Sequence, residues 1–164
     1  VEQVNKRHII LKMTIVQDMK MIKMLYKASI VAVKIDLIVR GICCLVPNQP
    51  YSKNIRVVRI VDSFLEHARI WYFGNNGNPT FHLSSADWME RNLKRRIETA
   101  CPIYCEKHQQ QIMDFLMLQL EDNVKACTID ENLNNIFITN DRPKIRSQRA
   151  IYNYLESFES HYEK

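Results

Sequence analysis

Residues 8–14, HIILKMT, are a short, largely β-branched run without a polar stripe, the pattern of a buried strand. From Asp18 the spacing changes. Met21, Met24, Leu25, Ala28 and Val31 recur every three or four residues, which predicts an amphipathic helix with Asp18 as its N-cap. KIDLIVR (34–40) returns to a continuous apolar run and predicts a second buried strand, ending at Gly41. Strand, helix, strand in this order is a βαβ unit, so the two strands are expected to be parallel. Pro47 and Pro50 mark a loop, and IRVVRI (55–60) is a third strand. ARIWYFG (68–74) and PTFHLSS (79–85) flank the turn NNGN and predict a hairpin. MERNLKRR (89–96) reads as a loop or a short helical turn, and RIETACPI (96–103) as a further strand. A helix is expected from Glu106 to Asp122, with Ile112, Met113, Leu116 and Leu120 on one face. ACTID (126–130) and NIFIT (135–139) can pair as a short hairpin, and SQRAIYNYLESF (147–158) predicts a terminal helix. Together these elements define an α/β chain, a mixed β-sheet flanked by helices.

Composition narrows the class. The chain has 164 residues, 46% hydrophobic and 25% charged, which suits one globular domain with a real core. HIILKMTIV and VAVKIDLIV are short and each is broken by lysine, so no integral membrane segment is expected. The first residues, VEQVNKRH, are polar and charged, unlike a secretory leader. Val at position 1 and a strand within eight residues suggest that a preceding part is missing. Net charge is +5 but unevenly spread. Residues 1–60 hold 11 Lys/Arg against 3 Asp/Glu, and residues 101–164 hold 7 against 10. A basic first part points to a polyanionic partner, although many basic faces are simply solvated. Five cysteines, an odd number, are expected to be buried free thiols in a reducing compartment. Cys101, Cys105 and His108 are the one short-spaced zinc candidate, and no second pair completes it, so no metal ligands are assigned.

Open α/β sheets offer ligands the carboxyl ends of their strands. Arg40 ends a strand there and precedes Gly41, which would allow close approach of a phosphate or carboxylate; an arginine capping a strand in solvent fits equally well. His67 lies between Glu66 and Ala68 and could serve as nucleophile, acid or surface group. Ser84, Ser85 and Asp87 could supply hydroxyls and a carboxylate, or cap the next turn. Arg91, Lys94, Arg95 and Arg96 could clamp phosphate or form a solvated turn. Lys12, inside an apolar strand, needs a partner or a cleft.

The joint arrangement resembles a diverged phospholipase D pattern: H-x-K-x4-D, then a turn, G-S-A-N and a downstream arginine. His67-Ala68-Arg69 stands for H-x-K, Ser84-Ser85-Ala86-Asp87 for G-S-A-N, and Arg91 follows. Arg69 replaces the lysine, Gly74 stands where the aspartate would be, and Asp87 replaces the asparagine. More specifically, KIDLIVRGICCL, NIRVVRIVDSFLEHARIWYFGNNGNP, LSSADWMERNLKRRIE and DNVKA resemble the C-terminal domain of bacterial polyphosphate kinase of the phosphohistidine-forming type. The likeness runs from Ile9 to about Lys125, and more loosely through QRAIYNYL. It departs at LKMTIV, where the family strand reads LKMNSL, which puts any contact of that asparagine in question, and at Trp71, where Tyr is common.

The resemblance implies a phospholipase D-like half-domain over residues 1–164, with a core at about 8–125 and a C-terminal hairpin and helix at 126–164. It implies reversible transfer of the ATP terminal phosphate to inorganic polyphosphate, through a phosphohistidine in a preceding domain of the same enzyme. Mg²⁺ would accompany the nucleotide. His67 would be the partner histidine, contacting phosphate and handling a proton without attacking. Arg40 and Arg96 would bind nucleotide phosphates, while Ser84, Ser85, Asp87 and Arg91 follow from motif position alone. A cytoplasmic, homo-oligomeric enzyme would follow, with no nucleic-acid partner and with peripheral membrane association left open; the fragment alone is expected to be inactive. Three rival readings stand beside it: a polyanion-binding module inactive on its own, a diverged phosphodiesterase, and a plain structural domain.

Overall fold

The computed structural model describes residues 7–159. Eight strands are present: β1 (His8–Met13), β2 (Lys34–Val39), β3 (Ile55–Ile60), β4 (Ile70–Phe73), β5 (Thr80–Ser84), β6 (Ala100–Pro102), β7 (Ala126–Ile129) and β8 (Asn135–Phe137). They form one mixed sheet in the order β6-β5-β4-β1-β2-β3-β7-β8. Four α-helices accompany it: α1 (Met19–Ile30), α2 (Glu90–Arg95), α3 (Glu106–Leu120) and α4 (Ser147–Glu159). The expected βαβ unit is present, since β1 and β2 pair in parallel from His8↔Lys34 to Met13↔Val39. β3 adds in parallel to β2, while β4, β5, β6, β7 and β8 run antiparallel to their neighbours.

The unbroken apolar runs of the central strands follow from burial on both faces. Successive side chains alternate across a strand. Leu11, Met13, Leu37, Val39 and Val57 therefore share one core with Ile22 and Leu25 of α1. Ile10, Ile38, Val58 and Ile60 share the other with Met113, Leu116 and Leu120 of α3. The sheet is thus sandwiched between helices, the class expected from the pattern.

Several expectations are corrected in detail. The Asp18 cap is as expected, its Oδ1 accepting from the N–H groups of Lys20 and Met21 at 2.9 and 3.0 Å. The buried face of α1 is Ile22, Leu25 and Ser29, however, while Met24 and Val31 are exposed. Two apolar stripes overlap in this helix. Buried Ser29 selects between them, because Asn54 donates its backbone N–H to the Ser29 hydroxyl at 3.2 Å and its amide to the Ser29 carbonyl at 2.8 Å. MERNLKRR resolves into the short helix α2. RIETACPI pairs only over Ala100–Pro102, because Thr99 is held by Ser85, whose N–H donates to the Thr99 carbonyl and whose hydroxyl accepts the Thr99 N–H, both at 3.0 Å. Only Cys43 and Cys127 are buried; Cys44, Cys101 and Cys105 are exposed. Cys101 lies on an edge strand, Cys105 precedes α3, and Cys44 alternates outward beside Cys43, whose thiol burial pushes up to about 11. No helix of the described residues is long and apolar enough to cross a membrane.

β7 joins the sheet beside β3, and α4 returns against α3 through a Tyr154 hydroxyl that donates to Asp114 at 2.6 Å. Buried Asp122 links these parts. Its Oδ1 accepts from Val124, Lys125 and Ala126 N–H at 2.9, 2.7 and 3.1 Å, and its Oδ2 from Ser147 N–H, the start of α4, at 2.7 Å. Burial alone would raise this carboxyl, but the backbone donors outweigh it and hold it below the ordinary carboxylate value. Asp122→Ala is expected to cost about 3 kcal/mol by leaving these donors without an acceptor, read by urea unfolding. The folded state favours the ionised form, so its contribution is complete above the unfolded value near 4 and is lost as pH falls through the lower folded value. Asp122→Asn should therefore flatten the acid limb of the stability curve below about pH 5; an unaltered limb would remove this role.

Candidate functional site

The carboxyl ends of β1, β2 and β3, the start of β4 and the end of β5 all fall on one edge of the sheet, as the parallel and antiparallel registers require. This edge collects Thr14, Arg40, His67, Arg69, Ser84 and Asp87. The motif residues, far apart in sequence, come together because β4 runs back beside β1.

Asp87 organises the cluster. Its Oδ1 accepts from the N–H groups of Thr14 and Ile15 at 2.7 and 3.1 Å, the first residues past β1. Its Oδ2 accepts from Arg69 Nη2 at 2.8 Å, with both side chains largely buried. Burial would raise the Asp87 carboxyl, but the Arg69 guanidinium and the two N–H groups outweigh it and lower it. The same Arg69 nitrogen lies 3.0 Å from His67 Nε2. Because arginine only donates, Nε2 accepts and the imidazole proton sits on Nδ1, which faces the Thr14 hydroxyl at 3.3 Å. His67 itself is exposed.

Lys12 finds the partner its position demands. Its Nζ lies 2.6 Å from Glu66, and Gln119 also donates to that carboxylate. Burial lowers the Lys12 pKa, offset in part by Glu66, and nearby Arg40 lowers it further. Arg40 is half-buried just past β2, and its Nε is buried without a hydrogen-bond partner. Gly41, after Arg40, is packed against the end of β1. Its N–H donates to the Thr14 carbonyl at 2.8 Å, and a Cβ there would meet that oxygen at 2.9 Å. The close approach it permits is between two strand ends.

The remaining singled-out residues are placed differently. The Ser84 hydroxyl donates to the Thr99 carbonyl and accepts from Ala86 N–H, and the Ser85 hydroxyl donates to Glu98. Both serines therefore brace the turn and the approach to β6. Arg91 is exposed on α2, and Arg96 is exposed just past its end. Glu98, two residues after Arg96, accepts from the Ser85 hydroxyl and the Asn92 amide, which lower its carboxyl. Thr14, Glu66, Gln119 and Gln148 were not singled out from the sequence. Thr14 entered only as part of LKMTIV, and its hydroxyl faces the histidine. Glu66 adjoins His67 and was legible by position, whereas nothing in sequence links it to the two glutamines. A groove of about 610 Å³ opens at the opposite edge of β2 and β3 beside Lys34, Asp36 and Arg56, and none of the singled-out residues lines it.

Fold and site together define a class: a mixed-sheet α/β domain presenting a histidine and arginines at the carboxyl edge of its sheet. The chain belongs to the family described as polyphosphate kinase C-terminal domain 2, which matches residues 1–148. It is 47% identical over 151 residues to a polyphosphate kinase of Campylobacter jejuni subsp. doylei, covering 92% of this chain and 22% of that protein. It is 45% identical over 158 residues to one of Vibrio vulnificus, covering 95% and 23%. The crystal structure of polyphosphate kinase from Porphyromonas gingivalis superposes with a TM-score of 0.92 at 54% identity, covering 94% of this chain and 24% of that one. NucT from Helicobacter pylori shares the fold alone, at 10% identity and a TM-score of 0.53 over 70% of this chain and 79% of that one. The chain thus spans about a quarter of the length of the polyphosphate kinases it matches.

Gly41→Ala is expected to push the β1 and β2 ends apart and lower stability by about 1–3 kcal/mol, with the larger chemical-shift changes confined to Thr14 and His67. Unfolding curves and amide NMR spectra check this; a neutral substitution would show that the two strand ends yield freely.

Proposed function

We propose that this chain supplies one half of the active site of an ATP–polyphosphate phosphotransferase, the other half and its phosphorylated histidine lying in a preceding domain of the same protein. One observation carries the reading. At the site edge Lys12 is matched by Glu66 and Arg69 by Asp87, whereas Arg40 has no ion pair among the described residues. That leaves the Arg40 guanidinium without a carboxylate, on the same sheet edge as a histidine oriented by Arg69, an arrangement suited to an incoming phosphate. Kinship with polyphosphate kinases, 45–54% identical, supports the choice of substrate.

Phosphoryl transfer asks the protein chiefly for positioning and charge stabilisation. Arg40 grips a nucleotide phosphate. His67 contacts the transferring group and moves a proton at an imidazole nitrogen beside the phosphohistidine, without attacking. Arg69 sets the imidazole and lends positive charge. Arg96 extends the phosphate track, Arg91 adds charge along it, and Ser84, Ser85 and Asp87 hold its frame. Mg²⁺ enters with the nucleotide. The residues here do not fit as its ligands, because Asp87 and Glu66 already serve arginine, lysine and N–H donors. The protein works in the cytoplasm, as a homo-oligomer.

The phosphodiesterase reading loses ground because Arg69, in the place of the pattern's lysine, is tied to Asp87. A polyanion-binding module without chemistry remains as the alternative for the isolated chain, favoured by the basic residues 1–60.

The test is a chimera in which this chain replaces the matching quarter of the Porphyromonas gingivalis enzyme, assayed for polyphosphate formed from ATP. His67→Ala is expected to lower kcat by about 100-fold or more. Arg40→Ala should raise the KM for ATP, lower kcat, or both, by about tenfold in kcat/KM while the chimera still folds. Salt-sensitive polyphosphate binding to the chain, with a wild-type chimera that makes none, would replace the enzymatic reading by the binding module.

A further inference from the structure

Residues 61–69 connect β3 to β4 and carry His67, yet this connection has little apolar anchoring. Val61, Phe64 and Leu65 are 66%, 58% and 77% exposed. Its path is held instead by polar groups of α3 and of the start of α4. Arg146 grips Asp62 with a fork, Nε to Oδ2 at 2.7 Å and Nη2 to Oδ1 at 2.5 Å, and also donates to the Ser63 hydroxyl at 2.9 Å. This guanidinium holds the Asp62 carboxyl well below the ordinary range. The Gln148 amide closes on the Phe64 backbone from both sides, accepting its N–H and donating to its carbonyl, each at 2.8 Å. The same amide donates to Glu66 Oε1 at 3.0 Å, while Lys12 and Gln119 hold the other oxygen. Residues 62, 64 and 66 are thus each fixed, and His67 follows directly. Gln148 is 7% exposed and Gln119 wholly buried, so these contacts are sheltered from water.

We propose that Arg146 and Gln148 are positioning residues for His67, and that the start of α4 is a clasp that fixes the imidazole between Thr14 and Arg69. The kinetic part rests on the phosphotransferase reading above; the geometric part stands without it. A displacement of the loop by about an ångström would misplace the imidazole while leaving Arg40, just past the end of β2, where it is. Such misplacement costs up to about 100-fold in rate. The clasp therefore governs turnover more than nucleotide affinity.

In the same chimera, Gln148→Ala and Arg146→Ala are expected to lower kcat by about tenfold or more and to shift the KM for ATP by less than about threefold. Arg146→Lys should recover part of the loss, because an ammonium keeps the charge but not the fork. Tyr154→Phe is the control. It removes a bond between α4 and α3 without touching the loop and should leave kcat unchanged. In the 164-residue chain, imidazole nitrogen shifts of His67 should report an Nδ1–H tautomer, replaced by tautomer averaging in Gln148→Ala. An unchanged kcat in Gln148→Ala, or an equal fall in Tyr154→Phe, would overturn the proposal. Should Gln148→Ala fail to fold, the order wild type, Arg146→Lys, Arg146→Ala decides it. If the wild-type chimera makes no polyphosphate, the functional reading fails and the imidazole shifts alone judge the clasp: unchanged shifts overturn it, averaged shifts sustain it.

Discussion

The carboxylate of Asp87 joins the sheet to the chemistry. Two backbone N–H groups emerge at the end of β1 with no strand partner, and buried donors of this kind require an acceptor. One oxygen of Asp87 takes both, and the other takes Arg69. The strand end, the turn after β5 and the start of β4 are thereby fixed to one another, and Arg69 in turn sets the imidazole of His67. An asparagine there would point either an oxygen or an NH₂ group at each of these donors, and the NH₂ would meet a donor with a donor. Arg69 and Asp87 therefore depend on each other. A largely buried guanidinium needs a carboxylate to neutralise it, and a buried carboxylate needs a cation.

That pairing also shapes the charge the edge offers. Lys12, Arg40 and Arg69 converge at one edge of the sheet, and three cations without partners would repel one another and loosen the edge. Glu66 and Asp87 neutralise two of them and leave Arg40. Two of the three charges at this edge are thereby fixed in place by ion pairs, at 2.6 Å for Lys12–Glu66 and 2.8 Å for Arg69–Asp87.

Much of this was legible in the sequence, and the rest was not, for definite reasons. The central strands announced themselves as continuous apolar runs because both faces are buried. The parallel pairing followed from the intervening helix, and the hairpin from NNGN. The α1 face was misjudged because Met24 and Val31 fit a helical stripe as well as Ile22 does, and the arbiter, Asn54, lies 25 residues from Ser29. The backbone contacts of Ser84 and Gly41 could not be told from ligand roles in the sequence for a related reason. A hydroxyl or a glycine at a strand end satisfies the requirements of a ligand and of a neighbouring backbone equally, and only the register of β1 against β2 and β4 separates them. His67 and Arg69 are picked out through resemblance to a known family motif, not from their own local pattern. The bond between Gln148 and Phe64 spans 84 residues and has no periodicity to betray it.

The distribution of those long-range bonds says what the C-terminal segment is for. Most of the surface that α4 offers is exposed, and Tyr152 and Leu155 face solvent. A helix kept only to cover the core would place its apolar residues inward along its length. Here the buried, bonded residues concentrate at its first turn, where Asp122 accepts Ser147 N–H and where Arg146 and Gln148 reach the loop before β4. The element is built from its beginning, as a fixed end for a loop that the hydrophobic core does not hold.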